Sequence, residues 1–103
     1  MNLNDFTKGW LVGDFDPALI NSKDIEVAIK YYKSGDKESR HVHKVVTEYT
    51  IILSGRVRMN STIYNEKDIV KILPGEYTDF YCLEDTITLV IKTPSVTQDK
   101  YFL

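Results

Sequence analysis

The chain has 103 residues, a formal net charge of −2 and one cysteine. A chain of this length is one domain, burying somewhat over ~60% of its unfolded surface around a single core. The near-neutral charge, with no Lys/Arg stripe, argues against a nucleic-acid partner. The lone cysteine cannot close an internal disulfide, which fits a reducing compartment. No apolar run approaches the ~18–20 residues that would span a bilayer, and residues 1–8 lack a basic segment leading into an apolar one. A cytoplasmic protein with no membrane partner is therefore expected. Ten Ile, nine Val and nine Thr stand against two Ala, together with seven Tyr and four Phe, a choice of residues that suits pleated strands and not helices.

Residues 1–24 form an N-terminal arm in this reading. Trp10-Leu11-Val12 and Phe15 are apolar enough for a short strand or a cover over a sheet edge, or for an arm exchanged between subunits. Asp16-Pro17 places a cap residue before a proline, the start signal for one helical turn. Residues 25–103 form the main domain. Ile25, Val27, Ile29 and Tyr31 alternate with Glu26, Ala28, Lys30 and Tyr32 in a strand. A polar loop, Lys33–Ser39, leads to His41 and His43.

Glu48–Leu53 is apolar on both faces apart from Thr50, as expected of a strand buried between two layers. Ser54-Gly55 breaks it, Arg56–Met59 alternates again, and Asn60-Ser61 turns into Thr62–Tyr64. Ile69–Ile72, Tyr77–Leu83, Thr86–Lys92 and Lys100–Leu103 complete the strands, with Leu73-Pro74-Gly75 as a turn. Short strands at roughly 8–12-residue spacing indicate a two-layered all-β sandwich or barrel.

One stretch carries chemistry. In an extended chain, residues i and i+2 share a face roughly 6.5–7 Å apart, so His41 and His43 can turn toward one point. If the chain folds back before Glu48, its carboxylate meets them from the neighbouring strand. Two imidazoles and a carboxylate can hold a divalent metal with positions left open.

Gly35, His41, His43, Glu48 and Gly55 fill every fixed position of the pattern G-x5-H-x-H-x3,4-E-x6-G. In this the sequence resembles the cupins. The family's second motif, G-D-x4-P-x-G-x2-H-x3-N, is similar to the stretch from Lys67 to Cys82, whose shape Asp68, Pro74 and Gly75 keep, with Pro74 one position later than the motif's proline. It departs from that motif at Lys67 for glycine, Thr78 for histidine and Cys82 for asparagine. The resemblance implies a double-stranded β-helix, the small jelly-roll cupin barrel. It also implies that Thr78 looks across at His41, His43 and Glu48, so three protein ligands remain for Fe, Mn, Zn or Ni.

Around that centre, Thr78, Phe80, Cys82, Tyr32, Arg58 and Thr50 are expected to shape a pocket. Of the strand cations Lys30, Arg56, Arg58 and Lys71, any that pointed inward would imply an anionic ligand, with Arg58 first. Parity sends Asp79 to the outside. The sequence thus predicts a small single-domain cupin that binds a small molecule, through a divalent metal if one is held. The alternative is a metal-dependent dioxygenase or isomerase acting on a small polar or carboxylate substrate. Exposed sheet edges, and the resemblance itself, suggest a homodimer.

Overall fold

A computed structural model describes all 103 residues. Eleven strands follow two short 3-10 turns, Leu3–Asp5 and Thr7–Gly9. The strands are β1 (Trp10–Gly13), β2 (Ile20–Asn21), β3 (Glu26–Tyr32), β4 (Lys37–Val42), β5 (Thr47–Ser54), β6 (Arg56–Met59), β7 (Thr62–Asn65), β8 (Ile69–Ile72), β9 (Tyr77–Cys82), β10 (Thr86–Thr93) and β11 (Tyr101–Phe102). One sheet has six strands in the order β2-β1-β3-β10-β5-β8, and the other has five in the order β11-β4-β9-β6-β7. No helix is long and apolar enough to cross a membrane.

The β-rich composition explains this architecture, and two local expectations need correction. The turn expected at Asp16-Pro17 is not helical. Leu19 donates its amide to the Leu11 carbonyl at 2.7 Å and Ser22 donates to Gly13 at 3.0 Å, drawing the segment into parallel pairing beside β1. The N-terminal segment therefore extends a sheet of its own chain, with β1 antiparallel to β3. The polar loop before the histidines is shorter than expected, because β4 begins at Lys37.

The two sheets enclose a barrel that is packed at one end and hollow at the other. Ile52, Val57, Met59, Ile72, Phe80 and Cys82 form the buried cluster, with Tyr32, Tyr64 and Val70 against it. Truncating the fully buried Ile52 to Ala would cost about 2–5 kcal/mol, through lost transfer energy and the void left behind. Gly55, the last residue of the first motif, has φ +98°, and a Cβ there would lie 2.4 Å from the Asp85 carbonyl oxygen. Both observations call for glycine at this position.

The Asn60-Ser61 turn joins β6 to β7 with both residues at positive φ, as a tight two-residue hairpin demands. Asp79 is exposed on the outer face, where its carboxylate accepts the Asn60 amide at 2.8 Å. The Asn60 side-chain amide donates to the Tyr77 carbonyl, tying the hairpin to β9.

Candidate functional site

The hollow end is a cavity of about 430 Å³ between the sheets, and His41, His43, Glu48, Thr50, Thr78, Phe80 and Tyr32 all border it. Register explains how they meet. Strand β4 pairs with β9 so that His41 stands opposite Thr78. An extra residue on β4 between Glu38 and His41 restores parity, so both of these side chains face inward. Glu48 enters from β5 on the other sheet, opposite Lys92 of β10.

The imidazoles are oriented by carbonyl groups. His41 donates from Nδ1 to the Ser39 carbonyl at 2.9 Å, and His43 donates from Nδ1 to the Asp99 carbonyl. A carbonyl can only accept, so each Nδ1 carries the proton and each Nε2 presents a lone pair in the neutral ring. The His43 ring is buried, and its Nε2 has no hydrogen-bond partner. It lies 3.3 Å from Glu48 Oε1, but off the hydrogen-bond direction, so the contact is electrostatic.

Burial raises the Glu48 pKa, but the His43 ring when it carries a proton on Nε2, together with Lys92 and the Thr50 hydroxyl, outweighs it and holds the carboxyl below its ordinary value. Thr50 donates to Glu48 Oε2 at 2.8 Å. Burial pushes the His41 ring below the usual histidine range, opposed in part by its bond to Ser39.

These features suit a cation. Two nitrogen lone pairs are held inward by carbonyl bonds on the far side of each ring, the usual support for metal-binding histidines. With metal bonds of about 2.0–2.2 Å, neighbouring ligands on one ion sit roughly 3.0–3.5 Å apart. His43 and Glu48 have that spacing. His41 does not complete the cage here: its ring centre lies 5.3 Å from that of His43, and no three His, Cys, Asp or Glu side chains form a group placed to hold an ion.

Two expected pocket residues lie elsewhere. Arg58 is exposed, with its guanidinium 5.1 Å from the centre of the Tyr81 ring, because β6 turns Val57 and Met59 inward and Arg58 out. Cys82 faces in but sits in the packed end, below the cavity floor. The inward cations carried on strands are Lys30 and Lys92. The parity of β3 accounts for Lys30, since Glu26, Ala28, Lys30 and Tyr32 form its inner row.

Sequence reasoning did not single out Glu26, Glu38, Thr88, Lys92 or Asp99, all of which line the cavity. The alternation of Thr86, Thr88, Val90 and Lys92 carried a signal for two of them. Nothing local marked Asp99.

The chain has the double-stranded β-helix fold of the small cupins. No protein-family model matches it, and no curated protein matches it in sequence. Among solved structures it is similar to an uncharacterised conserved protein with a double-stranded β-helix domain from Klebsiella pneumoniae, at 21% identity and TM-score 0.67, covering 72% of this chain and 66% of that one. An RmlC-like cupin from Shewanella frigidimarina matches at 14% identity and TM-score 0.68, covering 75% and 71%. The DMSP lyase DddQ from Ruegeria pomeroyi matches at 17% identity and TM-score 0.73, covering 95% of this chain and 53% of the lyase. The chain thus spans under two thirds of the first and third of these structures. At such identities the likeness establishes the fold.

Proposed function

We propose that this protein binds a small molecule in the open end of its barrel, with a divalent metal held by His41, His43 and Glu48. The observation that carries the reading is the buried, unpartnered Nε2 of His43 standing 3.3 Å from the Glu48 carboxylate. Two buried acceptor groups side by side need a positive centre within reach of both, and a metal ion supplies it without a proton. His41 joins by rotating its free Nε2 toward the pair. A bound ion would supply Lewis acidity and a fixed point for a ligand oxygen, while Thr78, opposite His41, leaves that side of the site without a fourth protein ligand.

The test is metal analysis of protein purified without a histidine tag, beside the His41→Ala, His43→Ala double variant. The expected result is about one divalent ion per wild-type chain and none in the variant. Wild-type protein that carries no ion, and takes up none of Fe(II), Mn(II), Zn(II) or Ni(II), overturns the metal part of the reading.

A second reading, a metal-dependent dioxygenase or isomerase acting on a small polar or carboxylate substrate, draws on the same open position facing a 430 Å³ cavity. It requires the loaded protein to consume O₂ or to convert an added carboxylate. Ligand binding without turnover favours the first reading. Self-association belongs to either one: the edge strands β7 and β8 expose Ile63 and Ile69, and light scattering in solution reads the outcome directly.

A further inference from the structure

The inner face of the six-stranded sheet carries three rows across β3, β10 and β5. One row is Glu26, Lys92 and Glu48, the next is Ala28, Val90 and Thr50, and the third is Lys30, Thr88 and Ile52. Nearly every charge facing the hollow is answered within the protein. Lys92 lies between two carboxylates and reaches Glu48 at 4.0 Å, and Lys100 reaches Glu38 at 3.4 Å. Glu26 accepts the Ser95 hydroxyl at 2.8 Å, and Asp99 accepts three backbone amides. Lys8 is exposed to water.

Lys30 is the exception. Its ammonium is half-buried and makes neither an ion pair nor a hydrogen bond. Its near neighbour is the Trp10 ring, 4.9 Å to the centroid, which Lys92 also approaches at 5.0 Å. Beside Lys30 in the register stands Thr88, 1% exposed, whose Oγ1 has no hydrogen-bond partner. A cation and a hydroxyl left unanswered side by side, in a sheet wall whose other charges are paired, ask for an acceptor from outside.

We propose that the cavity takes its ligand by a carboxylate group, seated on Lys30 and Thr88 beside the Trp10 indole. A monoanion fits and a phosphate dianion does not, because one half-buried cation is free while Glu26, Glu38, Glu48 and Asp99 line the remaining wall. Burial lowers the Lys30 pKa below the ordinary lysine value, with Glu38 pulling it back and Lys92, Lys100 and Lys8 adding to the fall. An arriving carboxylate relieves that penalty. The inference rests on the reading of the cavity as a ligand site and does not need the metal.

The experiment titrates acetate, propionate, benzoate and succinate, each beside its neutral amide at matched ionic strength. Binding is followed through the Trp10 indole and the Lys30 and Thr88 backbone signals by NMR, in protein as purified and in protein dialysed against EDTA. At least one acid is expected to saturate, in both preparations, with its amide binding at least tenfold weaker. Lys30→Met keeps the aliphatic stem over Trp10; it should weaken that acid at least tenfold and melt higher than wild type without ligand. Thr88→Val, which keeps the shape and removes the hydroxyl, should weaken it severalfold and decides the matter should Lys30→Met fail to fold.

No saturating acid, or unchanged affinity in the variants, overturns the inference. Binding that survives Lys30→Met and vanishes with EDTA also overturns it, while supporting the metal reading. Lys30-dependent binding in protein that never holds metal leaves the inference standing and removes the metal.

Discussion

His43 and Asp99, 56 residues apart in sequence, are joined twice over: the Asp99 carbonyl accepts from the His43 ring while its carboxylate gathers the amides that follow the histidine. Lys44, Val45 and Val46 donate to that carboxylate at 3.0, 2.9 and 2.9 Å. The turn between the histidines and Glu48 is therefore held by a residue from the C-terminal segment. Phe102, from the same segment, brings its ring to 6.1 Å from that of His41.

Asp99→Ala leaves three amides without an acceptor, in part-buried to buried surroundings. The expected loss is about 2–4 kcal/mol, read by urea unfolding, since each unmet buried donor costs about 1–3 kcal/mol and water recovers some of it. A variant as stable as wild type would show that the tail does not hold the turn.

If the ion is present, removing it should lower the melting temperature, and returning it should restore the original value. A ligand at a hundredfold excess over its Kd stabilises the folded state by about 2.7 kcal/mol. Melting curves with and without EDTA read this, and superimposable curves would count against a bound metal.

Lys67 has φ +78°, a left-handed conformation that costs a residue with a Cβ about 1–2 kcal/mol. Its amide donates to the Ile52 carbonyl at 2.7 Å, which pins the conformation. Lys67→Gly should raise stability by about 0.5–1 kcal/mol after the added entropy of the unfolded glycine, measured by thermal melting. A fall in stability would mean that the lysine side chain contributes more than its backbone costs.

Burial pushes the Cys82 thiol from the ordinary value of 9.0 up to about 11, with a smaller opposing effect from Thr86. The folded state therefore prefers the protonated thiol. Its contribution to stability is complete below pH 9 and is lost as pH rises through about 11. The folded protein should resist thiol reagents at pH 8 and react at once when unfolded, which a thiol-quantitation time course checks. Rapid labelling of the native protein would place Cys82 outside the core.

Much of this arrangement could be read from residue order. The spacing from Gly35 to Gly55 carried the glycine turns and the histidine pair, and Asp68, Pro74 and Gly75 carried the second half of the barrel. Lys67 shows how a departure from a motif can leave the backbone shape intact: hydrogen bonds from neighbouring strands impose the conformation that a glycine would adopt freely. Parity was harder. On β3 the row Val27, Ile29 and Tyr31 is the more apolar one, yet it faces outward, and Ile29 lies against the N-terminal turns. The inner row carries Glu26 and Lys30 because it borders a cavity. Alternation reports two faces without saying which is inside. The contribution of Asp99 was invisible for another reason, since a cap reaching across 53–55 residues of sequence has no local pattern.

The row Ala28–Val90–Thr50 lies between the two charged ends of the wall, and Ala28 is fully enclosed. Val90 and Thr50 of this row border the cavity at mid-barrel. A leucine at Val90 would raise the floor and shrink the guest that fits, while the groups that carry charge lie in the rows on either side. Capacity and chemistry are thus set by different residues, so one substitution could retune the size of the accepted molecule while the groups that grip it stay unchanged.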